Sequence, residues 1–216
     1  MSLINSIKRF LGFQRTQPEF KKPETYFIEF RIQGKLKRYS RRLIKELSNK
    51  FGGIGTNRKR IVPHFTIIIP FKTKYPEIML KEVVQVFKKY NTMKVKTTGF
   101  QYFNNTQKKV IYISFSTPKE LLMLRNDLAS ALNSSLPDLE KKFIIRKNPD
   151  FHLTIAFKEI DRKFKKIWAY VKNKRNPNIE VILNRVTILF KGKIYREIDL
   201  RNHRIMTREE VFKRQI

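Results

Sequence analysis

The sequence predicts an α+β fold of two similar lobes related by an approximate two-fold axis, with antiparallel sheets flanked by helices and two central strands lining a cleft. One observation behind this is a pair of matching segments. Val62-Pro63-His64-Phe65-Thr66-Ile67-Ile68-Ile69 and Asp150-Phe151-His152-Leu153-Thr154-Ile155-Ala156-Phe157 each read His-x-Thr inside a run of β-branched and aromatic residues, which is strand composition. The other is the order of elements around them. Strand, helix, His-x-Thr strand, helix, strand describes residues 26–103, and the same order describes residues 110–190. Side chains alternate across a strand. Each motif strand therefore offers an imidazole and a hydroxyl on one face and an apolar row on the other.

The elements follow from local signals. Residues 1–22 form an extension in which Leu3, Ile4, Ile7, Phe10 and Leu11 have helical spacing, read as a short helix packed on the body. Tyr26 to Ile32 is a first strand. Ser40 to Phe51 is a helix with Leu43, Ile44, Leu47 and Phe51 on one face and Arg38, Arg41, Arg42 and Lys45 on the others. Gly52-Gly53-Ile54-Gly55 ends it and opens a loop carrying Arg58, Lys59 and Arg60. That loop is no P-loop, because no Gly-Lys-Ser/Thr follows. Pro76 starts the next helix. Lys94 to Phe103 is a strand with a bulge at Gly99, Asn104-Asn105-Thr106 a turn, and Val110 to Phe115 the returning strand. Thr117-Pro118-Lys119-Glu120 reads as a capping box, with Leu121, Leu124, Leu128 and Leu132 facing the core. A basic connection over 137–149 includes a short strand at Phe143-Ile144-Ile145. Asp161 caps a helix bearing Phe164, Ile167, Trp168 and Val171. Ile179 to Phe190 is one long strand, and Ile194 to Leu200 pairs back through Lys191-Gly192-Lys193. Residues 201–216 are a basic tail in which Thr207 and Glu210 cap one short helix. The organisation expected is an extension (1–22), a body (23–200) with lobes at about 26–103 and 110–200 interleaved at the centre, and the tail.

Composition narrows the function. The chain has 216 residues, enough for one sizeable domain or two small lobes around a shared core. Lys plus Arg number 48 against 18 acids, a net charge of +30. A lysine-rich composition alone does not explain the scarcity of acids; a densely negative partner explains both, and nucleic acid is the commonest. There is no cysteine, which excludes disulfides, thiolate metal sites and cysteine nucleophiles and fits a reducing, cytoplasmic compartment. No apolar run approaches the ~20 residues of a membrane span, and the N-terminus does not read as a signal peptide.

Only three histidines occur, and two sit in the repeated motif. Lobes related by a two-fold axis bring His64 and His152 together across a cleft. One imidazole neutral and one charged can serve as base and acid. Thr66 and Thr154 supply two hydroxyls for the two non-bridging oxygens of a phosphodiester. Metal ligation is the weaker alternative, since neither motif has a third histidine or carboxylate at ligand spacing and His203 lies in the tail.

These residues resemble the two-histidine (2H) phosphoesterase superfamily, in particular the RNA 2′,3′-cyclic phosphodiesterases first described as 2′-5′ RNA ligases. The resemblance covers about residues 25–200. It is carried by Pro63-His64-Phe65-Thr66-Ile67 and His152-Leu153-Thr154-Ile155-Ala156. It implies a metal-independent hydrolase without cofactor that opens terminal 2′,3′-cyclic phosphates of RNA, tRNA fragments among them, to 2′-phosphates. In that family pattern His64 donates a proton to the leaving 3′ oxygen, His152 activates water, and Thr66 and Thr154 hold the phosphate. The roles exchange in the ligating direction. Many relatives carry an arginine after the second motif's alanine; here Phe157 stands there, with Lys158 next. Lys158 and Arg60 are the candidate substrate-gripping cations, although lysine lacks the guanidinium fork. A monomer is expected. The competing readings are a non-catalytic RNA-binding module on the same fold and a phosphodiesterase for another cyclic nucleotide. Phe151, Phe103 and Tyr102 are candidate surfaces for stacking a terminal base.

Overall fold

The structure, a computed structural model, describes residues 22–54, 62–105, 108–139, 151–157 and 159–213. Nine strands and five helices occur among them in the order β1 (Glu24–Arg31), α1 (Gly34–Phe51), β2 (His64–Thr73), α2 (Pro76–Phe87), β3 (Met93–Asn105), β4 (Lys108–Phe115), α3 (Lys119–Ser135), β5 (His152–Phe157), α4 (Phe164–Lys172), β6 (Glu180–Leu183), β7 (Arg185–Phe190), β8 (Lys193–Asp199), β9 (Arg204–Met206) and α5 (Arg208–Lys213). They build two antiparallel sheets, β2-β1-β7-β8-β9 and β5-β4-β3-β6.

The duplication is visible in the pairing. In one sheet the first motif strand, β2, is the edge beside β1, and β1 pairs onward with β7. In the other the second motif strand, β5, is the edge beside β4, and β4 pairs onward with β3. Each sheet thus takes its third strand from the other half of the chain. The helices exchange in the same sense. Tyr90, just after α2, donates to Asp127 of α3 at 2.7 Å. On the other side Tyr170 of α4 donates to Glu46 of α1, and Lys163 caps the Phe51 carbonyl at the end of α1 at 2.6 Å. A single large apolar cluster runs through both halves, as expected where the alternate faces of two sheets bury against helices.

Several boundaries differ from the sequence reading. Helix α1 starts at Gly34, not Ser40, because Leu36 and Ser40 continue the buried stripe of Leu43, Ile44 and Leu47. Asn104 and Asn105, expected in a turn, belong to β3. Helix α3 begins at Lys119 with Pro118 as its cap, one residue later than the expected capping box requires, and no side chain caps it. Lys163, not Asp161, precedes α4. The expected long strand 179–190 is two strands in different sheets. Val181 and Leu183 are buried in β6, Val186 and Ile188 in β7, so the buried parity changes at Asn184-Arg185 and the chain passes from one sheet to the other there. The Lys191-Gly192 hairpin forms as expected, with φ of 48° and 75°, the positive values that a two-residue turn of right-twisted strands needs. Gly99, at φ 140°, marks the expected bulge in β3. The expected elements within 1–21, the strand at 143–145 and the loop cations Arg58 and Lys59 lie outside the described residues. No helix among the described residues is long and apolar enough to cross a membrane.

Candidate active site

Both motif strands alternate as their composition dictates. In β2, Phe65 and Ile67 are buried while His64 and Thr66 are half-buried on the other face. In β5, Leu153 and Ile155 are buried while His152 and Thr154 are half-buried. Pro63 has no N–H to give and opens the edge strand, but its carbonyl accepts from the Ile32 amide at 3.0 Å and so continues the β1–β2 ladder up to His64. The free edge of β5 is held by the segment after α1, where the Phe157 amide donates to the Ile54 carbonyl at 3.0 Å. The two strands touch through residues next to their histidines. The Phe65 ring stacks on Phe151 with centroids 4.8 Å apart and planes 12° from parallel, locking the residue after one histidine against the residue before the other.

His64 Nδ1 lies 3.1 Å from the Val62 carbonyl oxygen. A carbonyl only accepts, so Nδ1 carries the proton and Nε2 is left for chemistry in the neutral ring. The side chain retains 40% of its exposure, and the Glu29 carboxyl is 3.6 Å from Nδ1. Burial holds the His64 pKa below its ordinary value; the Val62 carbonyl opposes this, and the nearby His152 adds to it. The two imidazoles are therefore close enough for charge on one to reduce the proton affinity of the other. Each also packs against an aromatic edge: His64 against Phe27 at 5.5 Å and 88°, His152 against Phe103 at 5.0 Å and 82°. Tyr112, opposite Thr154 in the ladder, lies 4.9 Å from His152.

The first sheet adds a buried polar floor that the sequence reading did not single out. Across the β1–β2 ladder Arg31 is opposite His64 and Glu29 opposite Thr66. Glu29 is 3% exposed, and burial pushes its carboxyl up to about 8, with Glu197 adding and Arg31 opposing. Burial thus favours its neutral form. Arg31 and Arg185 both reach Glu197, each at 3.5 Å, and Thr187 donates to it at 3.0 Å. Burial disfavours charge on Glu29, so the Arg31 guanidinium beside His64 is balanced chiefly by Glu197, which it shares with Arg185. That suits an arriving phosphate anion.

The structure sets His64 and Thr66 on one face of β2 and His152 and Thr154 on one face of β5, and the charge of His152 is felt at His64. Lys158 and Arg60 lie outside the described residues. Phe151 cannot stack a base: it is 4% exposed and occupied by Phe65. Tyr102 packs on Trp168 and Phe164 of α4, on the sheet face away from His152, whereas Phe103 lies beside the histidine. Among the described residues no three potential metal-ligating side chains cluster.

The 2′-5′ RNA ligase superfamily model matches residues 38–192, a span that includes both motifs. Among solved structures, Kluyveromyces marxianus Usb1 with uridine monophosphate is similar at 10% identity and a TM-score of 0.51, over 82% of this chain and 98% of that one. E. coli LigT complexed with 3′-AMP is similar at 13% identity and a TM-score of 0.49, over 86% and 98%. No curated protein matches by sequence. The family match spans well over half of the 216 residues, and the fold and duplicated motif agree with it: the chain belongs to the 2′-5′ RNA ligase superfamily of two-histidine phosphoesterases.

Proposed function

We propose that the protein is a metal-independent RNA 2′,3′-cyclic phosphodiesterase that opens terminal cyclic phosphates to 2′-monophosphates. The observation that carries this reading is the pair of half-buried His-x-Thr faces on the edge strands of two sheets, close enough to couple electrostatically. In the proposed reaction His152 takes a proton from water as its oxygen attacks phosphorus. The P–O3′ bond breaks, and His64 gives its proton to O3′. The product is a 2′-phosphomonoester beside a free 3′-hydroxyl, with the protonation of the two rings exchanged. Thr66 and Thr154 donate to the non-bridging oxygens. With an RNA 5′-hydroxyl attacking in place of water and O3′ again leaving, the same pair makes a 2′-5′ linkage. Lys158 and Arg60 are proposed to contact the RNA.

The charge of +30 favours an RNA end over a free cyclic nucleotide, because each phosphate neutralised releases counterions. Burial lowers the proton affinity of His64; an incoming phosphate anion raises it, so loading of the acid is coupled to binding. The test is incubation of the full chain with an oligoribonucleotide ending in 2′,3′-cyclic phosphate, with EDTA present, followed by identification of the monoester. The reading expects a 2′-phosphate. Binding without product would instead support the non-catalytic module.

A further inference from the structure

The cleft at His64 does not end at the motif strands. A cavity of about 390 Å³ runs from Phe27, Glu29, Arg31 and His64 to Lys193 of the β7–β8 hairpin and to Arg208 and Phe212 of α5. This falls within the roughly 300–1,000 Å³ of small-molecule sites. The far wall, β9 and α5, lies beyond the residues that the family model matches.

That wall is built to hold its shape. Thr207 and Glu210 form a reciprocal cap: the Thr207 amide donates to Glu210 at 2.8 Å, and the Glu210 amide to the Thr207 hydroxyl at 3.4 Å. Arg204 ties down the same carboxylate at 2.8 Å. Val211 is fully buried with Ile194 and Met206 in a small apolar cluster of its own, against Leu189. The next residue, Phe212, is 48% exposed. The Arg208 guanidinium lies over its ring, 5.7 Å from the centroid. A rigid helix so short has no packing need for an exposed phenyl ring facing a cleft. A half-exposed aromatic ring with Arg208 over one face and Lys193 in the same cavity suits a ligand that is itself flat and carries phosphate. A simple anion does not need the ring, and an apolar ligand does not need Lys193 and Arg208.

We propose that this C-terminal wall is the nucleoside subsite of the cleft: Phe212 stacks the base of the terminal nucleotide, while Arg208 and Lys193 take the phosphate preceding it. The orientation rests on the reaction proposed above, in which His64 protonates O3′ and the ribose therefore lies on the His64 side. Binding alone tests the subsite. The full chain is titrated calorimetrically with adenosine 2′-monophosphate and, separately, with inorganic phosphate. The wild type is expected to bind the nucleotide at least about tenfold more tightly than phosphate, the scale of one base–aromatic stack. Phe212→Leu keeps apolar bulk and removes the π face. It is expected to lose about that factor for the nucleotide and nothing for phosphate, and Phe212→Tyr to restore it. Met123→Ala, at an exposed position on α3, is the control and leaves both affinities unchanged. Thermal melts verify that each variant is folded. Equal affinities for the two ligands in the wild type, or a Phe212→Leu variant that binds the nucleotide as the wild type does or weakens both ligands alike, overturns the proposal. A protein that shows the expected binding but no turnover of cyclic phosphate retains this subsite and loses the proposed reaction; turnover without the Phe212 effect does the opposite.

Discussion

Glu29→Gln should make the protein more stable at pH 8 while leaving its acid stability unchanged. The Glu29 carboxyl is buried beside Glu197 and pushed from its ordinary 4.5 to about 8. In the unfolded chain it releases its proton near 4.5. Between those two values the folded state binds more protons than the unfolded one, so stability falls as pH rises across the window. The contribution is fully present below 4.5 and gone above about 8. At ~1.4 kcal/mol per pKa unit, the loss over this shift is on the order of 5 kcal/mol as an upper bound. That is a large share of the 5–15 kcal/mol typical of a domain. Glutamine has the shape of the neutral acid and does not titrate. Urea unfolding of both proteins at unit steps from pH 4 to 9 gives the comparison. Other groups contribute to both curves, so the difference isolates position 29. The two should coincide at pH 4 and separate progressively, with the variant the more stable by several kcal/mol at pH 8 and above. Parallel curves over the whole range would refute the claim that a protonated Glu29 is built into the floor of the cleft.

Other outcomes follow from the same geometry. If His64 is the acid, kcat/KM, which reports the free enzyme, should fall on the alkaline side with an apparent pKa below 6.5, since burial and His152 lower it. The corresponding limb of kcat should lie higher, because bound phosphate favours the charged ring; coincident limbs in pH–rate profiles would contradict that coupling. Phe151→Leu removes the stack on Phe65 while keeping most of the apolar volume, for less than about 1.5 kcal/mol in chemical denaturation. It should reduce kcat about tenfold or more with little change in KM, as expected when the two histidines lose their mutual alignment, whereas an unchanged kcat would show that the stack does not set the site.

The parts of the fold that depend on local pattern were legible in the sequence. Alternation within His64–Ile67 and His152–Ile155 gave each strand its polar and apolar face, Pro76 and the Thr207–Glu210 cap gave helix starts, and Lys191-Gly192 gave a hairpin. What was not legible depends on pairing between distant segments. Glu29 and Arg31 are two polar positions of the first strand that no local signal singles out; the register that sets Arg31 against His64 and Glu29 against Thr66 places them beside the motif. Phe151 precedes its histidine by one residue and so points to the other face, where Phe65 covers it; counting parity from His152 would have removed it as a stacking candidate. The division at Asn184 also left a trace, since the buried positions switch from 181 and 183 to 186 and 188. The role of Phe212 left none, because a short amphipathic tail helix does not say which groove it closes.

The most direct measurement is single-turnover hydrolysis of an oligoribonucleotide 2′,3′-cyclic phosphate, in EDTA, by the wild type, His64→Ala and His152→Ala, each verified as folded. The account predicts a 2′-phosphate product from the wild type and a loss of about 10²- to 10⁴-fold for each variant, the range of a missing general acid or base. Wild-type rates in both alanine variants would contradict it.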